Sequence, residues 1–311
     1  MLFNGRVATG VEWIKDGKPS GAVADREVIL SAGALQSPQL LQLSGVGPAD
    51  LLRQHGIPVV AEAPEVGCKL QDHYQARIIV RLKRPISLND QVRNPFQLAK
   101  MGAEWLLAGR GPLTVGAGQV GGAACTKYAA GGRPDVQFNV MPLSVDKPGD
   151  PLHRYSGFTA SVWQCHATSR GQLAIRSTDP FDQPRIDPNY FAEEIDRKTI
   201  VAGMQILRDI FRQKSFRDLW DVEIAPGNAA STPEALWDFA RRTGGTVFHC
   251  SGTCRMGSDE TSVLDPQLRV RGVDRLRVID ASVMPLITSA NTNAASLMIG
   301  EKGAALIASG G

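Results

Sequence analysis

The residues with the clearest chemical potential lie near the end of the chain, in the segment VFHCSGTCRMG at 247–257. His249 follows the short apolar run Thr246–Phe248 and precedes a glycine-containing turn. A histidine side chain has a pKa near neutrality, so it can serve as a general base in catalysis. At a strand end, however, histidine is more commonly a structural residue, and both interpretations stay open on these residues alone.

Neighbouring residues suggest two further interpretations. Cys250 and Cys254 beside His249 resemble a set of metal ligands. Adjacent histidine and cysteine side chains are poorly placed to share one ion, and no second ligand pair follows, so we expect no metal site. Asn291 and Asn293 precede a predicted helix, where asparagine is usually a helix cap.

A glycine-rich segment, VGAGQVG at 115–121, has the G-x-G-x-x-G spacing of a dinucleotide-binding loop. Such a loop follows a buried strand, opens a helix and has an acidic residue about 20 positions later. Here the preceding segment RGPLTV is short and broken by proline, and the next acidic residue, Asp135, comes too early. We predict a glycine-rich loop or strand rather than a nicotinamide site.

Hydrophobic patterns predict the elements that position these residues. Apolar runs at Val7–Trp13 and Glu27–Leu30 flank the turn cluster DGKPSG and predict a β-hairpin. The second run leads through SAG into a leucine-rich segment, so residues 27–44 predict a strand, a turn and a helix. Near the chain end, LRVIDAS at 276–282 is typical of a parallel strand buried on both faces. A helix is predicted from about 292 to 307.

The residues between these two ends have mixed patterns. Apolar residues recur at helical spacing from Glu194 onward and again in PEALWDFARRTGG, which predicts two helices. The segments RPDVQFNVMPL and GFTASVWQCHA predict strands. The sequence therefore predicts an α/β (α+β) fold. One domain is built from residues 1–70 and 245–311, around an inserted mixed domain, 71–244, with an antiparallel sheet and helices.

Composition narrows the function classes. The chain has 311 residues, 43% hydrophobic and 21% charged, with a net charge of +3 and no polybasic tail, so we expect no nucleic-acid partner. No apolar run approaches the roughly 18 residues of a membrane-spanning helix. Five scattered cysteines favour a reducing compartment. We expect a cytoplasmic protein, with peripheral membrane association left open.

Several segments carry a family resemblance. GALQSPQLLQLSGVG, residues 33–47, resembles the second signature segment of the glucose–methanol–choline (GMC) flavoprotein oxidoreductases. The C-terminal stretches resemble the same family, and its choline-dehydrogenase-like branch in particular. The middle of the chain is similar too. The matching segments there and at the C-terminus are LQDH at 70–73, GAEWLL at 102–107, SRGQLAIRSTDPFDQPRIDPNYF at 169–191, 249–257, 278–285 and 291–302.

The resemblance implies FAD-dependent oxidation of a primary alcohol, choline or another small alcohol, to the aldehyde. His249 matches the family's catalytic base, which takes the hydroxyl proton while hydride passes to flavin N5. The family's second catalytic residue, an Asn or His 44 positions later, falls on Asn293, whose amide can donate a hydrogen bond to the substrate oxygen. The resemblance also implies FAD contacts for Ala32, Gly33, Asp280, Ala281, Asn291 and Thr292.

In this interpretation residues 1–70 and 245–311 form the FAD-binding domain and 71–244 the substrate-binding domain. The electron acceptor, whether quinone, dye or oxygen, is not predicted. Trp105 and Trp163 are candidates for an aromatic cage around a quaternary ammonium.

The sequence also departs from the family pattern. Cys250 replaces a proline usual in relatives, and Lys69 replaces a frequent asparagine. The family's own G-x-G-x-x-G segment is N-terminal, and we expect it to precede Met1. An inactive truncated fragment, or an interaction module unable to hold FAD, is therefore the alternative function.

Overall fold

A computed structural model describes residues 1–116, 118–147 and 149–310, and it has the predicted mixed α/β character, with antiparallel sheets and helices. The strands are β1 (Leu2–Asn4), β2 (Val7–Lys15), β3 (Lys18–Val23), β4 (Val28–Leu30), β5 (Val46–Gly47), β6 (Ala61–Glu62), β7 (Cys68–Leu70), β8 (Tyr74–Leu82), β9 (Val120–Ala124), β10 (Val136–Met141), β11 (Gly157–Gln164), β12 (Gly171–Ala174), β13 (Arg185–Asp187), β14 (Trp220–Ala225), β15 (Gly245–Thr246) and β16 (Leu276–Val278). The α-helices are α1 (Gly33–Leu43), α2 (Ala49–Gln54), α3 (Leu88–Arg93), α4 (Pro95–Ala108), α5 (Glu194–Phe211), α6 (Pro233–Thr243) and α7 (Asn293–Ala308). Short 3₁₀ helices span Pro112–Thr114, Lys214–Phe216 and Ala281–Val283.

The chain forms two compact units. The first contains residues 1–73, 166–192 and 248–311, and the second contains 74–165 and 193–247. The sequence placed all of 71–244 in one inserted domain, whereas the segment carrying β12 and β13 lies in the first unit. Strand pairing explains the difference, because β12 pairs antiparallel with both β7 and β13.

The core of the first unit contains the predicted parallel strand. β16 pairs in parallel with β4, with Leu276 opposite Val28 and Val278 opposite Leu30, and every residue of β16 is buried. The helix α1 starts three residues after β4, so the predicted strand–turn–helix is confirmed. The carboxyl ends of β4 and β16 therefore lie side by side, where open α/β sheets commonly bind ligands.

The predicted hairpin was wrong in its second strand. β2 pairs with β3, and Lys15 lies opposite Lys18. Asp16 and Gly17 both adopt positive φ, 53° and 73°, which is the backbone of a tight two-residue hairpin turn. Because the turn has only two residues, residues 18–23 form the strand that pairs with β2. β4 pairs with β16 instead.

The second unit is built on an antiparallel sheet with the strand order β14-β8-β11-β10-β9, in which β15 also pairs with β8. The predicted helix from Glu194 is α5, which packs on β11 and β10 through a stripe that includes Ile200, Met204 and Leu207. The segment PEALWDFARRTGG forms α6 as predicted. No described helix is both long and apolar enough to span a bilayer.

The glycine-rich segment 115–121 lies in this second unit. Ala117 is outside the described residues, and Gly121 belongs to the edge strand β9, opposite Asn139 of β10. The segment thus leads into a strand and not into a helix, which agrees with the predicted glycine-rich loop or strand.

Gly67 allows the first unit to pack closely where β7 meets β12. Its φ is +85°, and an added Cβ would collide with the Leu173 carbonyl oxygen. Its N–H donates to the Thr253 carbonyl at 2.8 Å, while its carbonyl accepts from the Leu173 N–H at 2.7 Å. Gly67 therefore holds β12 and the segment after His249 against β7.

We expect Gly67→Ala to destabilise the protein far more than Gly56→Ala. Gly56 also has positive φ, +69°, but nothing lies within 4 Å of an added Cβ. Left-handed backbone costs a non-glycine residue about 1–2 kcal/mol, and overpacking adds about 1–3 kcal/mol at Gly67 alone. Urea denaturation measures both free energies of unfolding. Equal losses would contradict the close packing at Gly67.

Candidate active site

Gln71, the residue after β7, connects two segments of the first unit. Its backbone exchanges hydrogen bonds of 3.0 and 2.9 Å with Ser251. Its side-chain Nε2 donates to the Pro285 carbonyl at 3.2 Å, and its Oε1 accepts from the Ile287 N–H at 3.1 Å. This buried side chain therefore ties the segment that contains His249 to the loop before α7.

Asp72 is a buried carboxylate with partners from three parts of the sequence. Its Oδ1 accepts from the backbone N–H of His73 at 2.9 Å and of His249 at 2.8 Å. Its Oδ2 accepts a short hydrogen bond from the Tyr190 hydroxyl. Because a buried charge is tolerated only when it is hydrogen-bonded or paired, these contacts fix the backbone at His249.

The imidazole of His249 contacts side chains through both ring nitrogens. Its Nδ1 lies 2.9 Å from Nδ1 of His73, and its Nε2 lies 3.2 Å from Nδ2 of Asn291. An amide nitrogen can only donate, so this network assigns a lone pair to Nε2 of His249. The ring proton is then on Nδ1 and is donated to His73. The Nε2 atom is therefore the one able to accept a proton.

Burial favours the neutral form of this histidine. His249 is 8% exposed, and desolvation lowers its pKa, while the negative charge of Asp72 acts in the opposite direction. The imidazole is therefore neutral at pH 7. A neutral imidazole is the form that a general base requires.

The two asparagines predicted near the site have different environments. Asn291 lies in the loop before α7, and its amide contacts the His249 ring. Asn293 is the first residue of α7, and its exposed side chain makes no hydrogen bond with the described part of the chain. A hydrogen bond thus joins the His249 ring to Asn291, and no hydrogen bond among the described residues joins it to Asn293.

Asp280 follows β16 and links it to the start of α1. Its Oδ2 accepts from the Gly33 N–H at 3.0 Å and from the Ser37 hydroxyl at 2.5 Å, and its Oδ1 accepts from the Ser282 N–H at 2.8 Å. The Ala32 N–H donates to Ser37 Oγ at 3.1 Å. The structure therefore groups Ala32, Gly33 and Asp280 at the carboxyl ends of β4 and β16.

The other predicted cofactor contacts lie at the start of two helices. Ala281 opens the 3₁₀ turn after β16, and its carbonyl accepts from the Gly252 N–H at 3.4 Å. Thr292 is the N-cap of α7, is buried, and provides no side-chain cap. The first-turn N–H groups of a helix lack partners within the helix, so this end attracts partial negative charge.

Sequence reasoning gave no role to four residues that hold the site together: Gln71, Asp72, His73 and Tyr190. The first three belong to LQDH and the fourth to the segment 169–191, both of which carry the family resemblance. Their function depends on pairing over long distances, since 177 positions separate Asp72 from His249. The available signal was three consecutive polar residues directly after a strand.

Burial affects the cysteines near His249. Burial, aided by the charge of Asp72, raises the pKa of Cys250 to about 12, and burial also raises the pKa of Cys254. A raised pKa disfavours the thiolate, which is the form that binds a metal. Among the described residues, no group of three or more His, Cys, Asp or Glu side chains is arranged to hold a metal ion.

Two family models match the chain, and both are described as GMC oxidoreductase. The N-terminal model matches residues 1–75, and the C-terminal model matches residues 167–300. The chain belongs to the GMC oxidoreductase family. The site around His249 lies in segments that these two models cover.

Individual GMC relatives match nearly the whole chain. Oxygen-dependent choline dehydrogenase of Escherichia coli K12 is 39% identical over 309 residues, which are 99% of this chain and 55% of that protein. The solved structure of Aspergillus oryzae RIB40 formate oxidase matches with a TM-score of 0.93 and 28% identity, over 98% of this chain and 58% of that one. Pyridoxine 4-oxidase from Mesorbium loti matches with a TM-score of 0.82 and 27% identity, over 97% and 55%. The chain thus spans about half the length of the curated relatives it matches.

We expect the pKa of His249 to lie below the ordinary histidine value of about 6.5. The Asp72→Asn change removes the charge that raises this pKa, so the pKa should fall further while amide oxygen still accepts the backbone N–H bonds. An NMR titration of the imidazole Cε1–H signals, assigned with His249→Gln, measures both values. Asp50→Asn, at an exposed carboxylate, is the control that should leave the His249 pKa unchanged. An unchanged or higher pKa in Asp72→Asn would refute the electrostatic role of Asp72.

Proposed function

We propose that this GMC oxidoreductase oxidises a small primary alcohol to the aldehyde with bound FAD, using His249 as the base for the hydroxyl proton. The observation that carries the proposal is the arrangement at His249. A buried, neutral imidazole presents its proton-accepting Nε2 beside the amide of Asn291. FAD is supported by family membership and by the formate oxidase relative, whose structure concerns FAD modification.

The residues at the ends of β4 and β16 fit the polar parts of FAD. Asp280 is partly exposed, and its Oδ1 accepts one backbone N–H, so it retains capacity for a ribityl hydroxyl. Gly33 has open space where a side chain would be. The uncapped first turn of α7 offers N–H donors, with Asn293 and Ala294 exposed, which suit carbonyl oxygens of a flavin ring. When bound there, FAD would supply the acceptor for the substrate hydride.

His249 removes the hydroxyl proton in this proposal. The proton passes from the substrate oxygen to Nε2, and the Nδ1–H bond to His73 is kept. The imidazolium that forms is stabilised by the nearby negative charge of Asp72, which favours the protonated ring. Hydrogen bonds to the backbone of His249 hold the ring in place during this transfer.

Asn291 stabilises the substrate oxygen. Its amide nitrogen lies 3.2 Å from His249 Nε2 and carries two N–H groups, so it can donate to a substrate oxygen that takes the place of this contact. Negative charge grows on that oxygen as the proton leaves, and a fixed donor stabilises the charge. Sequence reasoning gave this role to Asn293, and the proposal transfers it to Asn291 on the basis of the contact.

The relatives do not identify a single substrate, because their names specify three different compounds: choline, formate and pyridoxine. The aromatic candidates for binding an ammonium group also differ in environment. Trp163 is 1% exposed within β11, whereas Trp105 is 51% exposed on α4. We therefore propose the class, a small primary alcohol, with choline as one member.

We expect His249→Ala to lower the rate of alcohol oxidation by about 10²–10⁴-fold, since the general base is lost. FAD retention should be unchanged, because the groups proposed to hold it are intact. Choline, benzyl alcohol and ethanol with a dye acceptor test the rate, and the visible flavin spectrum tests FAD content. His55→Ala is the control at another histidine. Turnover near that of the wild type would refute the base assignment.

We expect the two asparagines to differ in a matched comparison. Asn291→Ala should lower the rate by about 10²–10³-fold, as removal of an oxyanion donor does, whereas Asn293→Ala should change it little. The same dye assay measures both variants at equal FAD content. A large loss in Asn293→Ala together with normal turnover in Asn291→Ala would restore the assignment made from sequence.

A further inference from the structure

A cavity of about 490 Å³ lies in the second unit and contains none of the residues of the His249 site. Its walls come from the end of α5, from β14 and from the loop after β14. The volume is in the range of sites that bind small molecules.

A buried ion pair shapes one wall. Arg208 Nε and Nη2 donate to the two carboxylate oxygens of Glu223 at 3.1 and 2.5 Å. Arg208 Nη1 also donates to the Ala230 carbonyl at 2.6 Å, and Glu223 Oε1 accepts from the Gly227 N–H at 3.1 Å. The two charges therefore satisfy one another and hold the loop 226–231 in place, leaving little charge for a ligand.

The remaining charge of the lining is mostly positive. Lys83, Arg212 and Arg217 line the cavity together with one further acid, Asp221. The Asp221 carboxylate accepts a hydrogen bond of 2.6 Å from Arg81. The three cations therefore outnumber the carboxylates that could neutralise them within the cavity.

These cations are weakly engaged by the protein. Arg212 meets the exposed Asp209 at 3.5 Å, and exposed pairs of this kind contribute little free energy. The Arg217 side chain makes no hydrogen bond or ion pair with the described residues, while its carbonyl accepts from Lys83 Nζ at 3.3 Å. Arg212 is the C-cap of α5, where the helix dipole favours a cation, but Lys83 and Arg217 lie outside that helix.

Aromatic rings form the apolar part of the lining. The rings of Phe211 and Trp220 lie 6.1 Å apart with an interplanar angle of 33°. Asn228 and Ser231 from the held loop add neutral polar groups. Arginine binds carboxylate and phosphate in a bidentate manner, and a planar ring packs well on aromatic side chains.

We propose that this cavity binds a small organic anion in which a carboxylate or phosphate is attached to an aromatic ring. Arg212 and Arg217 hold the anionic group, with Lys83 adding charge. Trp220 contacts the ring. The inference is independent of the alcohol oxidation proposed for the first unit.

Isothermal titration calorimetry of the full chain with phenyl phosphate tests the site. We expect saturable binding, at least tenfold weaker binding by the Arg212→Gln/Arg217→Gln double variant, and weaker binding by Trp220→Ala. Both arginines are exposed, so their variants should fold, and circular dichroism checks this. The matched control is Arg241→Gln/Arg242→Gln on α6, which removes the same charge from arginines paired with Asp238 outside the cavity. This control should retain wild-type affinity.

Two comparison ligands separate the contributions of charge and ring. Phenol, which keeps the ring without the charge and is not a primary alcohol, and inorganic phosphate, which lacks the ring, should each bind at least tenfold more weakly than phenyl phosphate. Equal weakening in the control and cavity variants would show general charge attraction and overturn the site. Phenol or inorganic phosphate binding as tightly as phenyl phosphate would overturn the proposed ligand class.

Discussion

The first unit depends on one buried carboxylate, that of Asp72. A buried carboxylate without partners costs several kcal/mol, so the fold must bring hydrogen-bond donors to it. Those donors come from the next residue, His73, from Tyr190 and from the backbone of His249. Satisfying a single charge therefore brings together three segments that are far apart in the sequence. The neighbouring Gln71 extends the same constraint to the loop before α7.

The same carboxylate also adjusts the chemistry of the imidazole that it positions. Burial alone lowers the pKa of His249 and would make the ring a weaker base, and the charge of Asp72 partly offsets this effect. The ring thus stays neutral near pH 7 and keeps some affinity for a proton. A base with a pKa near the working pH is the most effective compromise between these two needs. The Asp72 carboxylate therefore influences both the position and the basicity of His249.

Elements with a strong sequence period were predictable, whereas features set by turns and by long-range pairing were not. The buried stripe of α5 and the doubly buried β16 are visible in the sequence. The partner of β2 was missed because it depends on positive φ at 16–17. The family motif marked His249, but whether Asn291 or Asn293 meets the ring depends on where α7 begins, and helix ends are hard to place to within two residues. The pairing of Asp72 with His249 has only a weak local signature, three consecutive polar residues directly after β7.

Helices α1 and α7 of the first unit differ at their N-terminal ends, and this difference bears on the proposed cofactor. At the start of α1 the Gly33 N–H is already bonded to the Asp280 carboxylate, so an anion of the protein itself occupies that helix end. No side chain caps the start of α7, and Asn293 and Ala294 are exposed there. A flavin ring gains negative charge when it accepts hydride, and free N–H donors stabilise such charge. This difference supports the proposal that the start of α7 faces the flavin ring, with Gly33 contributing open space rather than a hydrogen bond.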